Sequence, residues 1–563
     1  MRLAPRGRIR PAGPDTGTSK LAPFAVHPGR AVRPYAGLTK SCAGRPSAAQ
    51  CRSAQMQDYV RRILTSSVYE AAEETPLEKM NLLSARLGAE VLLKREDMQP
   101  VFSFKIRGAH NRIAQLTAEE RARGVICASA GNHAQGVALS ATRLGMRAVI
   151  VMPTTTPVIK IGAVRRLGGE VVLFGDGFDA ARAHAAELAE KHGYVVVHPF
   201  DDPDVIAGQG TIGMELLRQH PGDIGAIYVP VGGGGLAAGI AAFVKFLRPE
   251  IRVIGVEPEE AASMKAAIAA GHPVALDQVG LFADGVAVRQ VGVETFRICR
   301  ELLDDIVTVT ADEICAAIKD IFDDMRAIAE PAGALALAGL RRQVERGEAP
   351  AGALIAINSG ANVNFDRLRY VAERAEIGER AEALLAVEIP ERPGSYRAFI
   401  RLLGQRSITE FNYRFAHGAT AKIFVGVKLT RGDAEKHEII SLLQDHGLKV
   451  IDLTDNEVAK LHVRYMVGGR VNDLTDEVVY RFQFPERPGA LLKFLEGLND
   501  EWNISLFHYR NHGADYGRVL VGVQVPQATR ADFIAHIDAV GFPYWDETAN
   551  PAYRQFLDHD RSA

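Results

Sequence analysis

The sequence predicts a multidomain α/β protein: a layered unit of parallel strands with helices on both faces, followed by two ferredoxin-like α+β domains. Three observations predict it. Short apolar runs alternate with helix-period segments from Gly124 onward, glycine-rich loops stand where strands give way to helices, and the last third of the chain repeats itself. Strands separated by a single helix must lie parallel.

Within 563 residues, 47% apolar and 24% charged, there is material for three or four domains. The 66 basic and 68 acidic residues leave a charge of -2 with no basic block in the body, which argues against a nucleic-acid partner. Cys42, Cys51, Cys127, Cys299 and Cys315 form no CxxC, which points to a reducing compartment and no metal site. No apolar run approaches the roughly 18 residues a membrane span requires. Residues 1–55 hold eight arginines and two lysines against Asp15 alone, without helical or strand period. Such a stretch is expected to be disordered, either a transit peptide or the product of a start placed upstream of Met56. The expected location is the cytoplasm, or a plastid or mitochondrion if the stretch is a transit peptide.

In order, a helix is expected at 58–66, a strand at 90–95 and a strand at 125–128. A helix at 133–144, a strand at 148–152 and a helix at 156–167 follow, then a strand at 171–174, a helix at 178–191 and strands at 194–197 and 226–229. The layered unit is expected over 57–378. Ligands of such sheets sit beyond the carboxyl ends of strands, at helix N-termini.

Three stretches carry candidate chemistry. In Ser103-Phe104-Lys105-Ile106-Arg107-Gly108, a lysine held partly dehydrated has a neutral amine able to condense with an aldehyde, although most lysines are solvated surface charges. Ser129-Ala130-Gly131-Asn132-His133 is a small loop opening a helix, suited to a substrate carboxylate, unless Asn132 is a plain helix cap. Gly232-Gly233-Gly234-Gly235-Leu236 follows a strand and lacks the Gly-Lys-Ser/Thr of a nucleotide loop, so it reads as a cup for one phosphate. A lysine, a phosphate cup, an asparagine and a carboxylate loop together describe a site for pyridoxal phosphate and an amino acid. A nicotinamide oxidoreductase would leave Lys105 idle.

These stretches, together with Ala329-Glu330-Pro331-Ala332-Gly333-Ala334 and Ser359-Gly360-Ala361-Asn362-Val363-Asn364, resemble the motifs of the threonine ammonia-lyases (threonine dehydratases). These are fold type II pyridoxal phosphate enzymes. Ala332 stands where many relatives have serine. The resemblance implies a carbon–nitrogen lyase turning L-threonine into 2-oxobutanoate and ammonia, the committed step toward isoleucine. Lys105, beside Phe104, would bind the cofactor covalently and remove the Cα proton. Gly232, Gly233, Gly234, Gly235 and Leu236 would hold the phosphate, Asn132 the ring hydroxyl, and Ser129, Ala130, Gly131, Asn132 and His133 the substrate carboxylate. Ser359 would face the pyridine nitrogen and leave it unprotonated, and the cofactor phosphate is the candidate acid for the leaving hydroxyl. A serine-specific lyase or a β-replacing enzyme shares this fold.

Downstream, Ile389-Pro390-Glu391-Arg392-Pro393-Gly394-Ser395 returns as Phe484-Pro485-Glu486-Arg487-Pro488-Gly489-Ala490. Each copy, expected at 382–456 and 478–549, reads βαββαβ. The copies resemble the ACT-like regulatory domains of biosynthetic threonine ammonia-lyases. That implies isoleucine as inhibitor, valine as its antagonist and a homotetramer, with Gly394, Ser395, Tyr413, Gly489 and Tyr509 as candidate effector residues. The alternative is a role in assembly alone.

Overall fold

The computed structural model describes residues 48–365, 367–414, 419–456, 459–460, 463–465, 471, 474–485, 490–497, 502–510, 516–550, 553 and 557. The layered unit divides into two sheets. One has four parallel strands in the order Glu170–Leu173, Ala148–Met152, Val125–Ala128, Val195–Val196. The other runs Leu77–Lys79, Val91–Arg95, Ala353–Asn358, Ile224–Pro230, Arg252–Pro258, Asp305–Val309.

The first strand of the larger sheet departs from the expected parallel pattern. Leu77–Lys79 pairs antiparallel with Val91–Arg95, while the other pairs are parallel. Only the short helix Asn81–Leu87 joins the two, closed by Gly88 at φ 64°, and so short a connection returns the chain instead of crossing over. A second difference lies upstream: the helix expected from residue 58 runs Ala48–Leu64, so helical structure begins inside the stretch expected to be disordered.

Ala353–Asn358 shows why the large sheet is stable. Leu354 and Ala356 join the apolar cluster of the helix Pro331–Glu345, and Ile355 and Ile357 join that of the helix Gly235–Leu247 on the opposite face. Burying each of these isoleucines or leucines contributes roughly 1.5–3 kcal/mol. Ile355→Asp would strand a charge between two layers. No described helix is long and apolar enough to cross a membrane.

Both C-terminal copies are βαββαβ: Glu382–Pro390, Ser395–Leu403, Ile408–Arg414, Thr420–Lys428, Gly432–Asp445 and Lys449–Asp452, then Glu477–Pro485, Ala490–Gly497, Asn503–Arg510, Tyr516–Gln524, Arg530–Val540 and Tyr544–Asp546. They fuse into one eight-stranded sheet because Ile408–Arg414 pairs antiparallel with Asn503–Arg510, Phe411 facing Tyr509 and Tyr413 facing Phe507. Pairing removes two exposed strand edges and merges the apolar faces into one core. After the last strand of the first copy the chain returns to the layered unit, where Lys460 meets Asp312 at 2.7 Å and Arg464 donates to the Glu373 carbonyl at 3.3 Å.

Candidate active site

Lys105 is the first residue of the helix Lys105–Ala114, at the end of a strained turn in which Phe102 has φ 54°. Phe102–Phe104 is stitched to the loop after Ala353–Asn358. The Phe104 N–H and the Ser103 hydroxyl both donate to the Ser359 carbonyl at 3.2 Å, and the Phe102 carbonyl accepts from the Ala361 N–H at 2.9 Å. Two residues on, the fully buried Arg107 locks the helix in place, 2.7 Å from Glu96 and 2.5 Å from Glu215, which also holds Lys94. The Lys105 amine donates to the Pro199 carbonyl at 2.9 Å. Burial brings it down to about 8, with the charge of Glu330 opposing the shift. At pH 7 about one amine in ten is then neutral, against roughly one in three thousand for an ordinary lysine.

The candidate carboxylate loop opens the helix Asn132–Arg143. Gly131, not Asn132, occupies the cap position, which settles against the plain-cap reading. The Asn132 carboxamide is oriented from both ends: it donates to Glu330 at 2.6 Å and accepts from Asn362 at 2.8 Å, keeping one N–H in reserve. His133 is buried, with Nε2 2.9 Å from the Val197 carbonyl. Burial, aided by Lys105, pushes it down to about 3, so it is neutral.

Gly232–Gly235 leaves the strand Ile224–Pro230 and enters the helix Gly235–Leu247, with Gly234 at φ 93°. Side chains here would collide: a Cβ on Gly233 would enter the Phe200 ring, and one on Gly234 would press on Met264. Among the described residues no backbone acceptor pairs with the N–H of Gly232, Gly233, Gly234 or Gly235. Leu236 is buried in the first turn. Ser359 is buried too, its hydroxyl donating to the Ala332 carbonyl at 3.1 Å. A Cβ on Gly333 would strike the Gly360 carbonyl, so the two motif loops touch through bare backbone. Among the described residues, both polar atoms of the buried Asn358 carboxamide have no hydrogen-bond partner.

Glu330 and Asn362 lie in the sequence motifs but carry no expected role. Glu330 is buried, and burial together with Asp284 pushes its carboxyl up to about 7. An acid inside the apolar run Ala329-Glu330-Pro331-Ala332 is the signal that would have found it. Pro199 left no signal, because its partner Lys105 is distant in sequence.

In the C-terminal sheet Gly394, at φ 85°, caps the helix Ser395–Leu403, and Ser395 is buried. The Tyr413 hydroxyl donates to Glu391 at 2.7 Å. Tyr413, Tyr509 and Tyr396 share one core at the seam between copies, and the buried Tyr396 hydroxyl has no hydrogen-bond partner among the described residues. Gly489 lies outside the described residues.

A dehydrated lysine, open glycine amides at a helix N-terminus and a clamped carboxamide fit pyridoxal phosphate: an aldehyde, one phosphate and a ring hydroxyl. The family described as pyridoxal-phosphate dependent enzyme matches residues 68–360, and the C-terminal regulatory domain of threonine dehydratase matches twice, at 373–463 and 468–557. The chain is 58% identical over 503 residues to the L-threonine dehydratase biosynthetic IlvA of Burkholderia multivorans, covering 89% of this chain and 99% of that protein. It is 47% identical to the mitochondrial threonine dehydratase of Saccharomyces cerevisiae, covering 89% of each. Among solved structures, the processed form of threonine deaminase isoform 2 from Solanum lycopersicum is similar with TM-score 0.56 and 54% identity, over 57% of this chain and 94% of that one. Fold and site define a pyridoxal phosphate-dependent enzyme of fold type II. More narrowly, the chain belongs to the biosynthetic threonine dehydratases, with the regulatory domain present twice.

Proposed function

We infer that this enzyme dehydrates and deaminates L-threonine to 2-oxobutanoate and ammonia, the committed step toward isoleucine, under feedback control by isoleucine. The observation that carries the chemistry is the Lys105 amine, held on the Pro199 carbonyl at 2.9 Å and lowered to about 8 by burial. When bound, pyridoxal phosphate supplies the electron sink that acidifies the substrate's Cα–H. Lys105 Nζ, neutral often enough at pH 7, holds the cofactor and then takes that proton. The open amides of Gly232–Gly235 hold the phosphate, with Leu236 closing the cup. The spare N–H of Asn132 meets the ring hydroxyl, and Ser129–His133 receives the substrate carboxylate at the helix N-terminus. Neutral His133 adds no competing charge there. Ser359 offers the pyridine nitrogen a neutral hydroxyl, which favours loss of the β-hydroxyl over a long-lived carbanion.

The catalytic unit is assigned to 57–378 and the regulatory copies to 382–456 and 478–549. Isoleucine as inhibitor and valine as antagonist are assigned to the turn at Gly394 and Ser395 and to the tyrosine cluster at the seam. The assembly is assigned as a homotetramer, and the location as the cytoplasm, or an organelle if residues 1–55 direct it there. The deciding experiment is turnover of L-threonine, followed through 2-oxobutanoate, with and without isoleucine. Turnover of L-serine with none of L-threonine would overturn the substrate assignment.

A further inference from the structure

Six residues, 197–202, run between the strand Val195–Val196 and the helix Pro203–Gln219 and touch three parts of the site. The Val197 carbonyl meets His133, the Pro199 carbonyl takes the Lys105 amine, and the Phe200 ring lies against Gly233. His198 Nδ1 accepts from the N–H groups of Phe200 and Asp201 at 3.3 and 2.8 Å, which curls the strap at its centre.

Asp201 reaches out of the strap to a separate element. Its carboxylate accepts from the N–H groups of Val293, Glu294 and Thr295 at 2.9, 2.9 and 3.1 Å, the whole first turn of the helix Val293–Leu302. A Cβ on Gly292 would collide with this carboxylate, so glycine there leaves room for Asp201 against the helix start. That same helix holds the glycine loop from behind. The Thr295 hydroxyl donates to the Gly233 carbonyl at 2.7 Å, and the Cys299 thiol lies 3.7 Å from the Gly234 carbonyl. A peptide unit is planar and trans, so its C=O and the following N–H point in opposite directions. Holding the Gly233 carbonyl toward the helix therefore turns the Gly234 N–H away from it, while the Gly234 carbonyl accepts from the Ala238 N–H of its own helix at 2.9 Å.

We propose that Asp201 is a positioning residue for the phosphate cup: by capping the helix Val293–Leu302 it fixes Thr295, and through it the peptide plane between Gly233 and Gly234, whose N–H is turned toward the cofactor phosphate. The proposal rests on the assignment of Gly232–Gly235 to that phosphate. It differs from a plain helix cap in what its loss changes. A plain cap contributes stability alone, whereas this one sets cofactor affinity.

The test is equilibrium dialysis of pyridoxal phosphate against the full-length, cofactor-stripped protein, with melting temperature measured alongside. Asp201→Ala and Thr295→Val should each raise the dissociation constant by about tenfold or more. Thr295→Ser, which keeps the hydroxyl, should restore it. Thr310→Ala is the control, since Thr310 caps the helix Ala311–Met325 with a capping box away from the glycine loop. It should lower the melting temperature and leave cofactor affinity unchanged. Because the two substitutions act through one contact, their effects combined in one chain should fall well short of multiplying. Should Asp201→Ala fail to fold, Thr295→Val decides alone, because it leaves the three capped amides in place. Wild-type affinity in Thr295→Val, or equal loosening in Thr310→Ala, overturns the proposal. If the wild-type chain itself binds no cofactor, the assignment of the glycine loop fails instead.

Discussion

Replacing Lys105 by methionine removes an ammonium that the fold holds where it is poorly hydrated, and the cofactor-free protein should become more stable for it. Burial lowers this amine from the ordinary 10.5 to about 8. At ~1.36 kcal/mol per unit, the folded state carries on the order of 3 kcal/mol of penalty for keeping the proton. Methionine has similar length and no charge, and it forfeits the bond to the Pro199 carbonyl, worth about 1 kcal/mol. A net gain of about 2 kcal/mol at pH 7 is expected. The sign with pH follows from the direction of the shift. The unfolded chain binds this proton more tightly than the folded one, so wild-type stability rises between pH 8 and pH 10.5, and the advantage of Lys105→Met should vanish near pH 10. Calorimetry of the two cofactor-free proteins at both pH values measures it, with threonine turnover lost in the variant. A Lys105→Met protein that melts below wild type at pH 7 would refute the claim that the fold pays to keep this amine dehydrated.

Gly233→Ala drives a methyl into the Phe200 ring and should abolish cofactor retention in dialysis; retention as in wild type would remove the glycine loop from the site. Ser359→Asp should protonate the pyridine nitrogen and lower threonine turnover while phosphate binding persists, and unchanged turnover would show that Ser359 is not the ring partner. Glu330→Gln keeps an acceptor for Asn132 but removes the charge that raises Lys105, so the acid limb of the pH–rate profile should move to lower pH; an unmoved limb would uncouple the two. A chain ending at Gly378 should keep the lyase activity and lose inhibition by isoleucine. In the full chain isoleucine should shift the emission of Trp502 and Trp545, both of which lie in the second copy, at inhibitory concentrations.

What was legible in the sequence follows the range of the forces involved. Val125–Ala128 and Ala148–Met152 match their expected bounds because buried parallel strands are continuous apolar runs with glycine or polar residues on either side. The glycine loop was legible because its chemistry is carried by backbone alone. Leu77–Lys79 is three residues with no period, and only its pairing with Val91–Arg95 makes it a strand. The expected strand at 194–197 shortens to Val195–Val196 because it pairs only with Val125 and Ile126 at the sheet's edge. Neither the division into two sheets nor the fusion of the repeats could be read, since strand order is decided by pairing between distant segments. Asp201 shares that origin, meeting the helix Val293–Leu302 across about ninety residues of chain, whereas Glu330 stands out in the sequence as an acid inside an apolar run.

Two sets of buried polar groups distinguish support from chemistry. Around Arg107 the accounts close: Glu96 and Glu215 face Arg107 and Lys94, and Thr75 adds a hydroxyl to Glu96. Such a network fixes one arrangement of the helix that begins at Lys105, and removing one member would leave a buried charge at a cost of several kcal/mol. A few ångströms of backbone away the pattern reverses. Lys105 is pulled toward neutrality with the Pro199 carbonyl as its hydrogen-bond acceptor, Glu330 is pushed up to about 7 beside an amide, and Asn358 has no hydrogen-bond partner among the described residues. A sequence shaped for stability alone would fill these positions with apolar residues, as the Lys105→Met comparison tests directly. A lysine and a carboxyl displaced from their ordinary titration, together with the open amides of Gly232–Gly235, are why the site reads as a place prepared for a ligand carrying a carbonyl carbon and a phosphate, and the closed network as the frame that holds it.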